Sequence, residues 1–372
     1  MKRLPDIIGS VAATLALIGS CAALFCMPGP RTLVADAQAT FRAEVVETDD
    51  SGIATHGLVE FGTQRLKVRR PDGTVAEAAN ELRAQMELDK KFAVGDTALV
   101  VDSGIEPLVA RDHWRLGWAV FFFALFSVAL VAFAGWTGAK ALFSFAFSCL
   151  AVWKLMIPLA LSGWSASMVA FLTVAFLTAA IMFLVAGWTR KCLVAFTGAM
   201  LGVFTSLALS HVMARLMHVN GATMPFAQQL LYSGYQSLDL RDIFIGAAIL
   251  ASSGAVMDLA MDVAAGMTEV VRHNPDLKFR PLLASGFRMG RAVVGTMTTT
   301  LLLAYSGGYL TLLMVFAAQG TKPLDFLNST LVSAELVKTL VGSLGLILVA
   351  PFTAFAGALL LTKERRVSRP VS

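Results

Sequence analysis

Charge is scarce in this chain. Only 15% of its 372 residues are Asp, Glu, Lys or Arg, where soluble domains carry about 25%. Long stretches have none, while 56% of the residues are apolar and the mean hydropathy is +0.70. That excludes an ordinary soluble domain and points to a membrane protein of several spans. Cysteine is sparse too. Cys21, Cys26, Cys149 and Cys192 all lie in or beside apolar runs, and there is no C-x-x-C. Neither a disulfide framework nor a zinc site is expected; the thiols read as small hydrophobes of a bundle. Also absent are G-x-x-x-x-G-K-[ST], H-E-x-x-H and G-x-S-x-G. ATP-driven transport by this chain alone and the standard hydrolase mechanisms are disfavoured, and neither an enzymatic activity nor a cofactor is expected. The net charge of +5 sits in short clusters beside apolar runs, where it sets orientation and does not suggest nucleic-acid binding.

What is present is a series of apolar runs. Lys2 and Arg3 precede the first, at 7–25, which is long enough for a spanning helix or signal anchor. Ala35-Asp36-Ala37 has the form of a small-x-small cleavage site and Ile18-Gly19-Ser20-Cys21 that of a lipoprotein box. The former lies well past the run, and apolar residues continue beyond the latter, so an uncleaved anchor is expected. Pro28-Gly29-Pro30 ends the run. The long polar segment, 31–113, has strand-type runs at 41–46, 53–61, 64–69 and 97–102. Asp49-Asp50-Ser51-Gly52 and Pro71-Asp72-Gly73 supply turns between them. Residues 77–91 read as a short helix or a polar loop. A small β-rich domain is expected, either a five-stranded barrel of OB type or a strand meander.

Seven further apolar runs lie near 116–134, 141–161, 166–187, 193–213, 243–265, 292–317 and 340–361. Each is long enough to cross a hydrocarbon core of roughly 30 Å. Trp114, Trp118, Trp136, Trp164 and Trp188 sit at run ends, where indoles favour the interface. The expected fold class is a membrane all-α bundle of eight spans with a β-rich extracytoplasmic domain between spans 1 and 2. The chain divides into an anchor (1–30), the outside domain (31–113), a seven-span block (114–362) and a basic tail (363–372). Starting with Lys2 and Arg3 inside, each inside segment is basic: Lys140; Arg190 and Lys191; Arg272, Lys278, Arg280, Arg288 and Arg291; then Lys363, Arg365, Arg366 and Arg369. Both termini are therefore expected in the cytoplasm.

The most informative stretch is GAVMDLAMDVAAGMTEV, 254–270. Asp258, Asp262 and Glu269 fall on one face of an otherwise apolar helix. A carboxylate in hydrocarbon is costly, so it marks either an ion or proton path or a structural ion-pair cluster. Both readings stay open, with Arg288 and Arg291 the nearest countercharges in sequence. Thr296, Thr299 and Thr300 share a face of the next helix, with Thr298 pointing elsewhere and Tyr305 above; hydroxyls there either glue helices or line a polar path. Glu335 and Lys338, three apart, read as an interfacial ion pair with a secondary claim to function. Gly342, Ser343 and Gly345 offer a packing strip, and Pro351 a kink. His211, Arg215 and His218 share one helical face, but no third ligand is suitably spaced, so no metal is expected.

These residues carry a resemblance. The stretch 254–270, His273-Asn274-Pro275, the run from Arg291 to Leu301, Ala304-Tyr305, the run from Glu335 to Ser343 and Ala350-Pro351 resemble the YibE/F family of bacterial membrane proteins. The likeness extends to the layout, including a Val94-Gly95-Asp96 turn in the outside domain. It implies the architecture and leaves the activity open. A looser similarity, carried by Asp258 in a Gly-x-x-x-Asp pattern and by 296–300, is to SecD/SecF export subunits and RND transporters, where a membrane acid couples proton flow to movement outside. The expected function is an ion-gradient-driven transporter or export-assisting subunit of the bacterial plasma membrane, with Asp258 and Asp262 changing protonation and Arg291 balancing their charge. The alternative is a non-transporting scaffold whose outside domain binds a partner. The expected partners are the lipid bilayer and a membrane or extracytoplasmic protein; the substrate is not legible.

Overall fold

The computed structural model describes residues 19–20, 23–26, 39–102, 104, 106–187 and 189–362. Most of the expected anchor, Pro28-Gly29-Pro30 and the basic tail lie outside the described residues. The chain forms two compact units, one of Val34–Gly138 and one of Met1–Leu33 with Ala139–Ser372.

The smaller unit carries six strands: β1 (Ala39–Asp49), β2 (Ile53–His56), β3 (Val59–Arg69), β4 (Val75–Arg83), β5 (Thr97–Asp102) and β6 (Leu108–His113). β1 pairs antiparallel with both β3 and β5, β5 with β6, and β3 with β4, while β4 runs parallel to β6. The circuit β1-β5-β6-β4-β3 thus closes on itself as a barrel, and β2 is a flap on β3. A bulge between Val45 and Glu47 bends β1 where it changes partner. Inward positions alternate along the strands, placing Val45, Leu66, Val68, Ala76, Ala78, Val100 and Leu108 in the core. The run at 53–61 is split by a tight turn at Gly57, whose φ of +63° suits glycine. The reading of 77–91 as helix or loop needs correction over its first part. The Ala/Glu content of Val75–Arg83 favours helix locally, but Ala76, Ala78, Asn80 and Leu82 alternate inward and pairing with β3 and β6 overrides propensity. β6, after Pro107, has no counterpart among the expected strands.

The barrel interior is not wholly apolar. Gln64 and Asn80 are both fully buried. Gln64 Nε2 donates to Asp50 Oδ1 (2.8 Å) and to the Phe92 carbonyl (2.9 Å), and its Oε1 accepts from the Phe92 N–H (3.0 Å) and from Asn80 Nδ2 (3.1 Å). Asn80 Nδ2 also donates to the Lys90 carbonyl at 2.6 Å. Two amides therefore staple the loop after β4 to the barrel end, satisfying backbone groups that have no strand partner.

The rest of the chain is helical. α1 (Leu116–Ala151), which begins in the smaller unit and ends in the larger, is interrupted at Gly135 (φ 56°, ψ −132°) and runs on through a π-helical turn at Val152–Met156 into α2 (Ile157–Leu161). Then come α3 (Ala166–Ala186), α4 (Arg190–Leu216), α5 (Ala227–Tyr232), α6 (Leu240–His273), α7 (Phe279–Gly308), α8 (Leu310–Ala318), α9 (Pro323–Asn328) and α10 (Thr330–Thr362). Among the described residues five segments are long and apolar enough to cross a membrane: Leu116–Leu161, Ala166–Leu184, Arg190–Leu216, Leu240–His273 and Thr330–Thr362. α7 with α8 makes a sixth if counted as one broken span. The run at 292–317 is bent by 64° between α7 and α8, where Gly307 and Gly308 weaken the helix. α10 runs unbroken through Pro351 and packs on α4, α6 and α7.

Lipid tails offer no hydrophobic drive between helices, so close approach of small residues holds them. On α4, Gly198, Gly202 and Ser206 recur every four residues and meet Thr353, Val349 and Gly345 of α10. On α7, β-carbons added at Gly286 and Gly290 would lie 2.7 and 2.6 Å from those of Ala354 and Ala350. These glycines leave no room for any side chain.

Candidate functional site

α6 owes its acid-bearing face to its packing. Val256, Leu259, Ala260, Val263, Ala264 and Met267 are buried, whereas Asp258, Asp262 and Glu269 are exposed. Gly290 of α7 lies against Val263, Gly266 against Met289, and Gly342 of α10 touches both Ser252 and Leu301. α6 and α7 therefore run antiparallel in a register that sets Asp258 at the depth of Thr296 and Asp262 at that of Ala292. Asp262 and Asp258 stand about one and two helical turns from Gly266, on the edge that borders α7. Thr296 and Thr300 follow Met289 along the facing edge of α7.

Thr296, Thr299 and Thr300 are exposed. Their hydroxyls donate to their own helix: to the carbonyls of Val293 (3.0 Å), Gly295 (3.0 Å) and Thr296 (2.9 Å). With the donor so used, each hydroxyl presents acceptor lone pairs outward. Together with the two carboxylates they make a strip of oxygen ligands along the outer face of the α6–α7 hairpin.

Arg291 stands elsewhere. It is exposed on the far flank of α7, one turn from Phe287, which with Leu283 lines an apolar groove against Phe352 and Phe355 of α10. Neither Arg288 nor Arg291 comes within ion-pair distance of Asp258 or Asp262. The sequence placed these charges on adjacent helices; the structure keeps them on different flanks. Glu269 behaves as a helix-end pair, 3.0 Å from His273 Nε2 and 3.7 Å from Arg272. Glu335 and Lys338 form a half-buried ion pair at 2.7 Å, with the ammonium 5.4 Å over the Phe244 ring. The Tyr305 hydroxyl is buried against Gly342.

The expected shared face of His211, Arg215 and His218 is not formed, because α4 ends at Leu216 and His218 follows in a left-handed turn (φ 51°); His211 instead faces Asp242. Its Nε2 lies 3.8 Å from Asp242 Oδ1, and Asp242 Oδ2 accepts from Ser165 Oγ (2.8 Å) and the Ser167 N–H (3.1 Å), tying α3 to α6. Among the described residues no three metal-ligating side chains stand together.

Several polar residues escaped the sequence reading. Ser206, Ser210 and Thr339 are buried, and their hydroxyls have no hydrogen-bond partner among the described residues. The signal was the spacing of four through Gly198, Gly202, Ser206 and Ser210, which marks a packing seam. Lys154 sits inside an apolar run on the π-helical turn, a feature frequent at functional positions. The barrel carries a groove of about 500 Å³ lined by Glu47, Asp49, Arg65, Lys67 and Glu77.

Long apolar helices locked by small residues, with carboxylates and hydroxyls gathered on one face, define a multi-pass membrane protein. A description of the YibE/F-like protein family matches residues 122–363, well over half of the chain and nearly all of its helical part. The chain belongs to that family. No curated protein and no solved structure matches it.

Proposed function

We propose that this YibE/F-like protein is an ion-gradient-driven transporter, or an export-assisting membrane subunit, in which Asp258 and Asp262 take up and release a proton or cation. The observation that carries the reading is the oxygen strip of Asp262, Asp258, Thr296, Thr299 and Thr300 on the α6–α7 hairpin. Neither carboxylate has an ion-pair partner among the described residues of its own chain, and an ionisable group in an apolar helix is costly and marks a functional position. The outward lone pairs of the threonines continue the acceptor path beyond Asp258. The protein is read as non-enzymatic, in a bacterial plasma membrane with eight spans and both termini inside. The Gly135 break supports counting 116–134 and 141–161 as separate spans; α7 with α8 counts as one, and 7–25 as the first. Residues 31–113 lie outside, and the barrel order supports an OB-type domain.

The rival reading, a non-transporting scaffold, draws on the charged barrel groove as a docking place. Proton uptake into energised proteoliposomes separates them. The transporter reading expects gradient-dependent uptake that Asp258→Asn abolishes. Equal uptake in the variant removes Asp258 from the coupling. No uptake by either protein favours the scaffold, and cross-linking from residues 31–113 then identifies its partner.

A further inference from the structure

We infer that the outer face of the α6–α7 hairpin is an interface between two copies of this chain, related by a two-fold axis along the membrane normal. This holds whether or not the protein transports. Asp258 and Asp262 are exposed within the apolar run of α6 and Arg291 at the edge of that of α7, and none has an ion-pair partner among the described residues. Acid and arginine lie at matching depth, since Asp262 is level with Ala292, but on opposite flanks of the hairpin. Among the described residues no ion pair within one chain joins them.

A second copy does. Two chains inserted in the same orientation keep every depth when related by an axis along the membrane normal, and such an axis demands a self-complementary face. The outward stripe of α7 is Arg288, Ala292, Gly295, Thr296 and Thr299, all exposed and, from Ala292 onward, all small. That pattern lets two helices approach closely in lipid. With α7 against its mate, the arginine flank of each α7 turns toward the acid-bearing edge of the other copy's α6. Arg291 of one copy then meets Asp262 of the other, twice, with Asp258 one turn away. The chain's apolar runs at 7–25 and 116–134 contain no charged residue, so neither supplies the missing countercharge. Charge complementarity therefore selects a second copy as the occupant.

The test is thiol cross-linking of full-length Thr299→Cys in native membranes, against the unsubstituted chain as background. The expected product has twice the mass of one chain. Asp262→Arg and Arg291→Asp, each added to Thr299→Cys, should each lower that product by more than about tenfold, because like charges then face each other. Co-expressing the two differently tagged variants should restore it, as a mixed pair recovers both opposite-charge contacts. Asp262→Asn is the mild control for folding and should lower the product less. A product containing another protein, a product confined to one chain, or swaps that leave the homodimer unchanged would each overturn the interface. So would failure of the mixed pair while Asp262→Asn cross-links like the parent.

Discussion

Gln64 and Asn80 in the barrel are fully buried, and backbone groups of the loop at 90–92 reach in to meet them. Ser206, Ser210 and Thr339 in the bundle are buried too, and their hydroxyls have no hydrogen-bond partner among the described residues, whereas of the amide pair only Asn80 Oδ1 lacks one. The difference lies in what each architecture has to spare. A barrel end has irregular chain whose amides need partners, so a buried side-chain amide is an asset. A helix has already used its backbone donors and acceptors. Hydroxyls there turn back on their own carbonyls, as at Ser252 and Thr353, or go without. A carboxylate has no such retreat, which is why the acids of α6 stand on the outer face and call for a second chain.

The largest test of this contrast is Gly290→Leu. The added side chain runs into Ala350, and overpacking of this kind costs about 3 kcal/mol. The bundle should lose thermal stability in detergent while amide protection of the barrel strands stays unchanged; a barrel that loosens equally would erase the distinction between the units. Next is Gln64→Leu, which strands the Phe92 N–H and the Asn80 amide in a buried site. A cost of about 2 kcal/mol is expected, read as faster amide exchange across residues 84–95 with the bundle unaffected. Full protection in that variant would mean the amide staple is dispensable.

The smallest effect is a pH dependence confined to the barrel. Asp89 accepts from the N–H groups of Arg83 (2.9 and 3.0 Å) and Gln85 (2.7 Å). The Arg83 amide first, with the Gln85 amide, holds its carboxyl below the ordinary value of 3.8. A carboxylate lowered by folding stabilises the loop above the unfolded value, and that contribution is lost as pH falls through the lower folded value. Protection factors over residues 83–91 should therefore hold at pH 5 and decline below about pH 4. Asp89→Asn should be loosened at both pH values and show no such step.

Much of this architecture was legible. The apolar runs from 116 onward fall in the observed helices apart from Gly187 and Tyr309, and the turns at Ser51-Gly52 and Pro71-Asp72-Gly73 fall where their residues predict. What failed was local propensity at 77–83, where an Ala/Glu stretch became β4; what was not foreseen was the bend in the run at 292–317. Both are decided by neighbours: β4 exists because β3 and β6 pair with it, and the two glycines before Tyr309 leave the helix direction to packing.

The candidate site divides along the same line. Helical periodicity alone puts Asp258, Asp262 and Glu269 on one face, because 100° per residue is a property of the backbone. It also sets Glu335 beside Lys338, and the scarcity of charge alone makes the protein a membrane one. Which way the acid face points was a tertiary decision. α6 is apolar around most of its circumference, so its own sequence does not distinguish core from periphery. The seams do: Val263 against Gly290, Gly266 against Met289 and Ser252 against Gly342 fix which side of α6 turns inward. That rotation sends the carboxylates outward and leaves Arg291 on the far flank, because helices in lipid orient by the closest fit of their smallest residues.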